Sequence, residues 1–68
     1  MPYINLKITG KPTPTQKAEI VREFTDTLVR VLGKNPQTTH IVIDEIADEN
    51  WGFGGELTTE IRKRKDER

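Results

Sequence analysis

The sequence predicts an α/β fold: a single β-α-β unit with parallel strands, followed by a short C-terminal hairpin or strand. Three observations carry this. Residues 3–8 alternate apolar and polar side chains, residues 13–33 hold a helical apolar stripe between two capping signals, and residues 40–46 are dense in β-branched side chains. Strand, long helix and strand in that order form a unit whose crossover is right-handed and whose strands are parallel. Parallel neighbours start at the same edge, so Pro2 and His40 are expected at one end of the sheet.

In the first strand Ile4, Leu6 and Ile8 share one face, while Tyr3, Asn5 and Lys7 share the other. Gly10-Lys11-Pro12 ends it, because proline cannot donate to a ladder. Thr13 suits an N-cap, Pro14 the first helical position, and Gln16 the reciprocal place of a capping box. Ile20, Val21, Phe24, Leu28, Val31 and Leu32 then recur at helical spacing. Gly33 fits a C-terminal cap, and Asn35-Pro36 blocks continuation, which gives a helix of about 20 residues and roughly 30 Å. The second strand is His40 to Ile46. Asp48-Glu49-Asn50 reads as a polar turn, and Trp51-Gly52-Phe53-Gly54-Gly55 as a tight hairpin or arm. Leu57 to Ile61 reads as a further short strand or a turn of helix, and the charged stretch 62–68 as a frayed tail. One domain, 1–68, accommodates all of this.

Composition narrows the function. Only 32% of the 68 residues are hydrophobic, so the core of one chain is thin. There is no cysteine to form disulfides, and a single histidine does not make a zinc site. Self-association is left as the source of stability. Eleven basic residues balance eleven acidic ones, so a whole-domain footprint for nucleic acid is missing. Arg62-Lys63-Arg64-Lys65 is followed at once by Asp66 and Glu67 and has no interleaved aromatic, which speaks against nucleic acid there too. No apolar run is long enough for a membrane span and no signal-peptide pattern opens the chain, so the expected location is cytoplasmic. The Gly52–Gly55 cluster lacks the Lys-Ser/Thr of a phosphate cradle, and Asp44, Glu45, Asp48 and Glu49 do not have calcium-loop spacing.

The chemistry-bearing feature is the start. Pro2 is small enough for Met1 to be removed, which would leave a strand headed by a free secondary amine. Such an amine can act as a base or as a nucleophile.

The Met1-Pro2 start, the alternating strand, the capped helix, the second strand and then Gly52-Phe53-Gly54-Gly55-Glu56 together resemble the 4-oxalocrotonate tautomerase family. The resemblance runs from Pro2 to about Arg64, with Gln16-Lys17, the Ile20–Leu32 pattern and Gly52–Leu57 aligned without gaps. It implies a subunit that dimerises through its sheets, dimers that assemble into a hexamer, no cofactor, and Pro2 as catalytic base. The sequence departs from the family's best-known members elsewhere. Where they carry an arginine after the first strand, this chain has Pro12 with Lys11 beside it; where they carry one at the start of the second strand, it has His40. Their pocket phenylalanine corresponds to Trp51.

The resemblance thus implies a tautomerase that interconverts enol and keto forms of a 2-hydroxydienoate or aryl-enol carboxylic acid. Pro2 is the expected catalytic residue, Lys11, His40 and Trp51 the expected substrate-binding residues, with a small-molecule carboxylate as ligand and other copies of the chain as partners. A base must be uncharged near neutral pH, while an α-amino group titrates at about 7.7–8.0 and a proline amine higher, so the site has to lower it. Burial against Trp51 and a cation such as Lys11 both act in that direction, at about 1.4 kcal/mol per unit. An arginine grips a carboxylate bidentately, whereas His40 offers single bonds and Lys11 a point charge, so weak activity on dicarboxylate dienols and better activity on aromatic enols are expected. Two alternatives use the same fold: acid–base hydration or dehalogenation of an unsaturated acid, and an oligomeric binding protein without turnover.

Overall fold

Strand β1 (Tyr3–Ile8) and strand β2 (His40–Glu45) pair in parallel in a computed structural model that describes residues 1–66. Tyr3 lies opposite His40 and Ile8 opposite Glu45. The ladder runs on at both ends: the His40 N–H donates to the Pro2 carbonyl at 3.0 Å and the Ile46 N–H to the Ile8 carbonyl at 2.8 Å. The register puts Ile4, Leu6, Ile8, Ile41 and Ile43 on one face of the sheet, and Tyr3, Asn5, Lys7, His40, Val42 and Asp44 on the other.

Helix α1 (Pro14–Leu32) crosses between the strands. Its start is fixed by the expected capping box, with the Gln16 N–H donating to Thr13 Oγ1 at 3.1 Å and the Thr13 N–H to Gln16 Oε1 at 2.9 Å. It ends on Gly33, whose φ of +65° is strained for a residue with a side chain; the Lys34 N–H then reaches back to the Leu28 carbonyl at 3.3 Å. The apolar stripe is only partly used within the chain. Ile20, Phe24 and Leu28 are half-buried toward the sheet, while Val21, Val31 and Leu32 remain exposed.

After β2, a 3-10 turn (Asp48–Asn50) leads into a two-stranded antiparallel hairpin, β3 (Gly52–Phe53) with β4 (Glu56–Leu57). Its tip is Gly54-Gly55, with φ of +61° and +82°, the paired left-handed residues that a two-residue primed turn demands. The chain then enters helix α2 (Thr58–Asp66). The stretch after Leu57 is therefore a real helix, and residues 62–66, expected as frayed tail, belong to it; residues 67 and 68 lie outside the described residues. Long-range ties account for the order of this charged segment. Arg62 is paired with Asp48, Arg64 with Glu56, and both the N–H and Oγ1 of Thr58 donate to the Trp51 carbonyl at 2.7 Å.

Among the described residues no hydrophobic side chain is buried, and Thr58, at 5% exposed, is the one buried residue. The accessible surface is 5416 Å², against about 4400 Å² for a compact protein of 7.8 kDa. The radius of gyration is 15.8 Å, where about 11 Å is usual at this length. A single protomer is thus an open scaffold whose apolar faces lack cover.

Candidate active site

Pro2 stands at the head of β1, half-buried, with its carbonyl tied to the His40 N–H at 3.0 Å. Parallel pairing produces this juxtaposition directly, as the sequence predicts, because both strands begin at that edge. Met1 before it is 88% exposed and makes no part of the strand. The His40 side chain is exposed on the sheet face away from α1.

Lys11 and Trp51 lie elsewhere in the protomer. Lys11 lines a recess of about 450 Å³ with Gly10, Glu45, Ile46 and Ala47, at the far ends of β1 and β2. Trp51 lines a cavity of about 520 Å³, together with Thr9, Phe53, Ile61, Arg62 and Lys65. Thr9 is seven residues along an extended chain from Pro2, roughly 23 Å at about 3.3 Å per residue. The structure thus brings Pro2 and His40 together, and Lys11 and Trp51 near the opposite end of the sheet. A small substrate can meet the amine and the tryptophan cavity at once only across two chains.

The hairpin and α2 build that cavity. Trp51 and Phe53, two residues apart on an extended chain, face the same space, the primed turn folds β4 back along β3, and the doubled bond from Thr58 fixes the Trp51 backbone to the first turn of α2. Thr58, Ile61, Arg62 and Lys65 recur at helical spacing, so all four line the same space. Arg62 and Lys65 line this cavity and are candidate residues that sequence reasoning missed, since they sit in what reads as a tail. That spacing, directly after two aromatics, was the available signal.

Ionic partners elsewhere are accounted for. Lys7 Nζ meets Asp44 Oδ2 at 2.8 Å, and Lys17 Nζ meets Glu45 Oε2 at 2.7 Å. The hydrogen bond from Lys7 holds the Asp44 carboxyl below its ordinary range, and Asp44 raises the Lys7 ammonium. Arg64 in the same way lowers Glu56, and Glu56 raises Arg64. Of the four acidic residues weighed as a cation site, Asp44, Glu45 and Asp48 are ion-paired to basic side chains. No helix among the described residues is long and apolar enough to cross a membrane.

Comparison with known proteins agrees with the fold. The family model described as "Tautomerase enzyme" matches residues 2–61. A probable tautomerase, K2, of Dickeya dadantii is 46% identical over 65 residues, covering 94% of this chain and 97% of that protein. The crystal structure of DmpI from Helicobacter pylori superposes with a TM-score of 0.85 at 37% identity, over 91% of this chain and 97% of that one. A 4-oxalocrotonate tautomerase isozyme structure from Methylibium petroleiphilum gives a TM-score of 0.88 at 25% identity, over 93% and 98%. The parallel β-α-β unit with its C-terminal hairpin is the architecture shared with these structures. The chain belongs to the tautomerase family, in its 4-oxalocrotonate tautomerase group, and is an isomerase.

Proposed function

We propose that this tautomerase, once Met1 is removed, uses the secondary amine of Pro2 as general base to interconvert the enol and keto forms of an aryl-enol carboxylic acid or a 2-hydroxydienoate. The observation that supports it best is the position of Pro2, held at the sheet edge through its carbonyl, so that its nitrogen stays clear of the ladder. In this reading the amine takes a proton from the enol hydroxyl and returns one to carbon, and no other group need shuttle between those atoms. Several protomers supply the site. The surface excess, the uncovered Val21, Val31 and Leu32, and the buried Asn5 Oδ1, which lacks a hydrogen-bond partner among the described residues, all favour assembly through the sheet and helix faces. A hexamer built as a trimer of dimers is the form we favour.

The test combines intact mass with kinetics. The mature chain should lack Met1, and Pro2→Ala should lower kcat/KM for enol-to-keto conversion of an aryl enol by about 10²-fold or more. Retention of Met1, which leaves the nitrogen an amide, or equal rates in parent and variant would overturn the assignment.

A further inference from the structure

The cavity beside Trp51 carries two cations, Arg62 and Lys65, and no carboxylate in its lining. Trp51, Phe53 and Ile61 give the same space an apolar floor. Arg62 is exposed at its side chain, 53%, yet tied at two points. Its Nε faces Asp48 Oδ2 at 3.0 Å and its Nη2 donates to Thr9 Oγ1 at 3.1 Å. Those two partners occupy one edge of the planar guanidinium. The adjoining end, Nη1 and the second N–H of Nη2, is unengaged among the described residues, and it has the fork geometry that takes both oxygens of a carboxylate. The contacts to Asp48 and Thr9 bias the side chain toward this orientation before a ligand arrives, which trims part of the ordering cost of binding.

We propose that Arg62 is the specificity-determining residue that anchors the carboxylate of a planar, conjugated acid, with Lys65 adding charge and Trp51 stacking on the unsaturated part. It takes over the bidentate role that Lys11 and His40 are chemically unsuited to fill. The inference deepens the proposed function and rests on it for the identity of the reaction, but carboxylate binding can be read without turnover.

The experiment is calorimetric titration of the full chain with cinnamate, an aryl conjugated carboxylate, and with cinnamamide, its uncharged counterpart. The parent should bind cinnamate at least about 10-fold more tightly, as a charge-assisted bidentate pair warrants. Arg62→Gln and Arg62→Ala should erase that difference while leaving cinnamamide affinity in place. Arg62→Lys, which preserves the ties of α2 best, should keep part of it, and Arg22→Ala on α1 should match the parent. Equal affinity for cinnamate in parent and Arg62→Gln would overturn the proposal, as would equal affinity of the parent for the two ligands. Inorganic phosphate displacing cinnamate at comparable concentration would also overturn it, by showing a site for any anion. In turnover of an aryl-enol acid, Arg62→Gln should raise KM about 10-fold with a smaller change in kcat. A parent without Pro2-dependent turnover that still prefers cinnamate through Arg62 would remove the catalytic reading and leave this one standing.

Discussion

Dilution offers the sharpest perturbation of this protein. Folding of the protomer without fully buried apolar side chains should be coupled to assembly, so stability should depend on concentration. For an n-mer that unfolds as it dissociates, the stability per protomer changes by (n−1)/n of RT ln of the dilution factor. A dilution of about 100-fold then costs about 2.3 kcal/mol per protomer in a hexamer and about 1.4 kcal/mol in a dimer. Unfolding entropy near 60 °C is about 2.1 cal/mol/K per residue, hence about 140 cal/mol/K for 68 residues. The melting temperature should therefore fall by about 16 °C for a hexamer and about 10 °C for a dimer. Circular dichroism melts at roughly 100 μM and roughly 1 μM, paired with sedimentation velocity at both, make the measurement. A Tm constant to within about 2 °C, with a species of 7.8 kDa sedimenting at both concentrations, would refute the reasoning from surface and shape.

Two further outcomes are expected. Thr58→Val keeps the volume but removes the hydroxyl that donates to the Trp51 carbonyl, and should lower stability by about 1 kcal/mol, read as a Tm drop of about 4–8 °C, whereas Thr58→Ser should stay close to the parent. Asp44 and Glu56 titrate below their ordinary values in the folded chain, so they bind fewer protons than when unfolded; their contribution is present above about pH 4–5 and is lost as pH falls through the lowered folded values. Urea midpoints should hold between about pH 7 and pH 5 and then decline, and the double variant Asp44→Asn, Glu56→Gln should decline less steeply. An identical slope in parent and variant would place the acid sensitivity elsewhere.

How far the sequence could be read depended on how local the determining physics is. Thr13, Gln16 and Gly33 act on their own helix ends, so their roles are visible from spacing alone, as is the primed turn at Gly54-Gly55. The meeting of Pro2 and His40 follows from parallel strand order and was equally legible. Helix α2 was legible only as one of two readings, strand or helical turn, over Leu57 to Ile61, because its order beyond that comes from ties outside the helix: Arg62 with Asp48 and Thr9, and Thr58 with Trp51. For the same reason the run from Arg62 to Lys65 reads as solvated charge until the hairpin is folded against it. The distance separating Lys11 and Trp51 from Pro2 is likewise a property of the sheet's length, not of residue types. The stripe on α1 misleads in another way. Periodicity reports which residues are apolar, not what covers them, and Val31 and Leu32 find no cover within one chain.

The placement of Pro2 at one end of the sheet and the Trp51 cavity near the other also bears on how such a protein changes over generations. In an assembly whose sites combine the two ends of different chains, as proposed above, a duplicated copy that loses its proline would still lend its cavity to a sibling, and a copy with a damaged cavity would still lend its amine. Lesions at the two ends should complement one another in a mixed assembly, while two lesions at the same end should not. Each end is then free to drift under its own selection, and new substrates can be sampled by altering the cavity of one sibling while the amine of the other stays untouched.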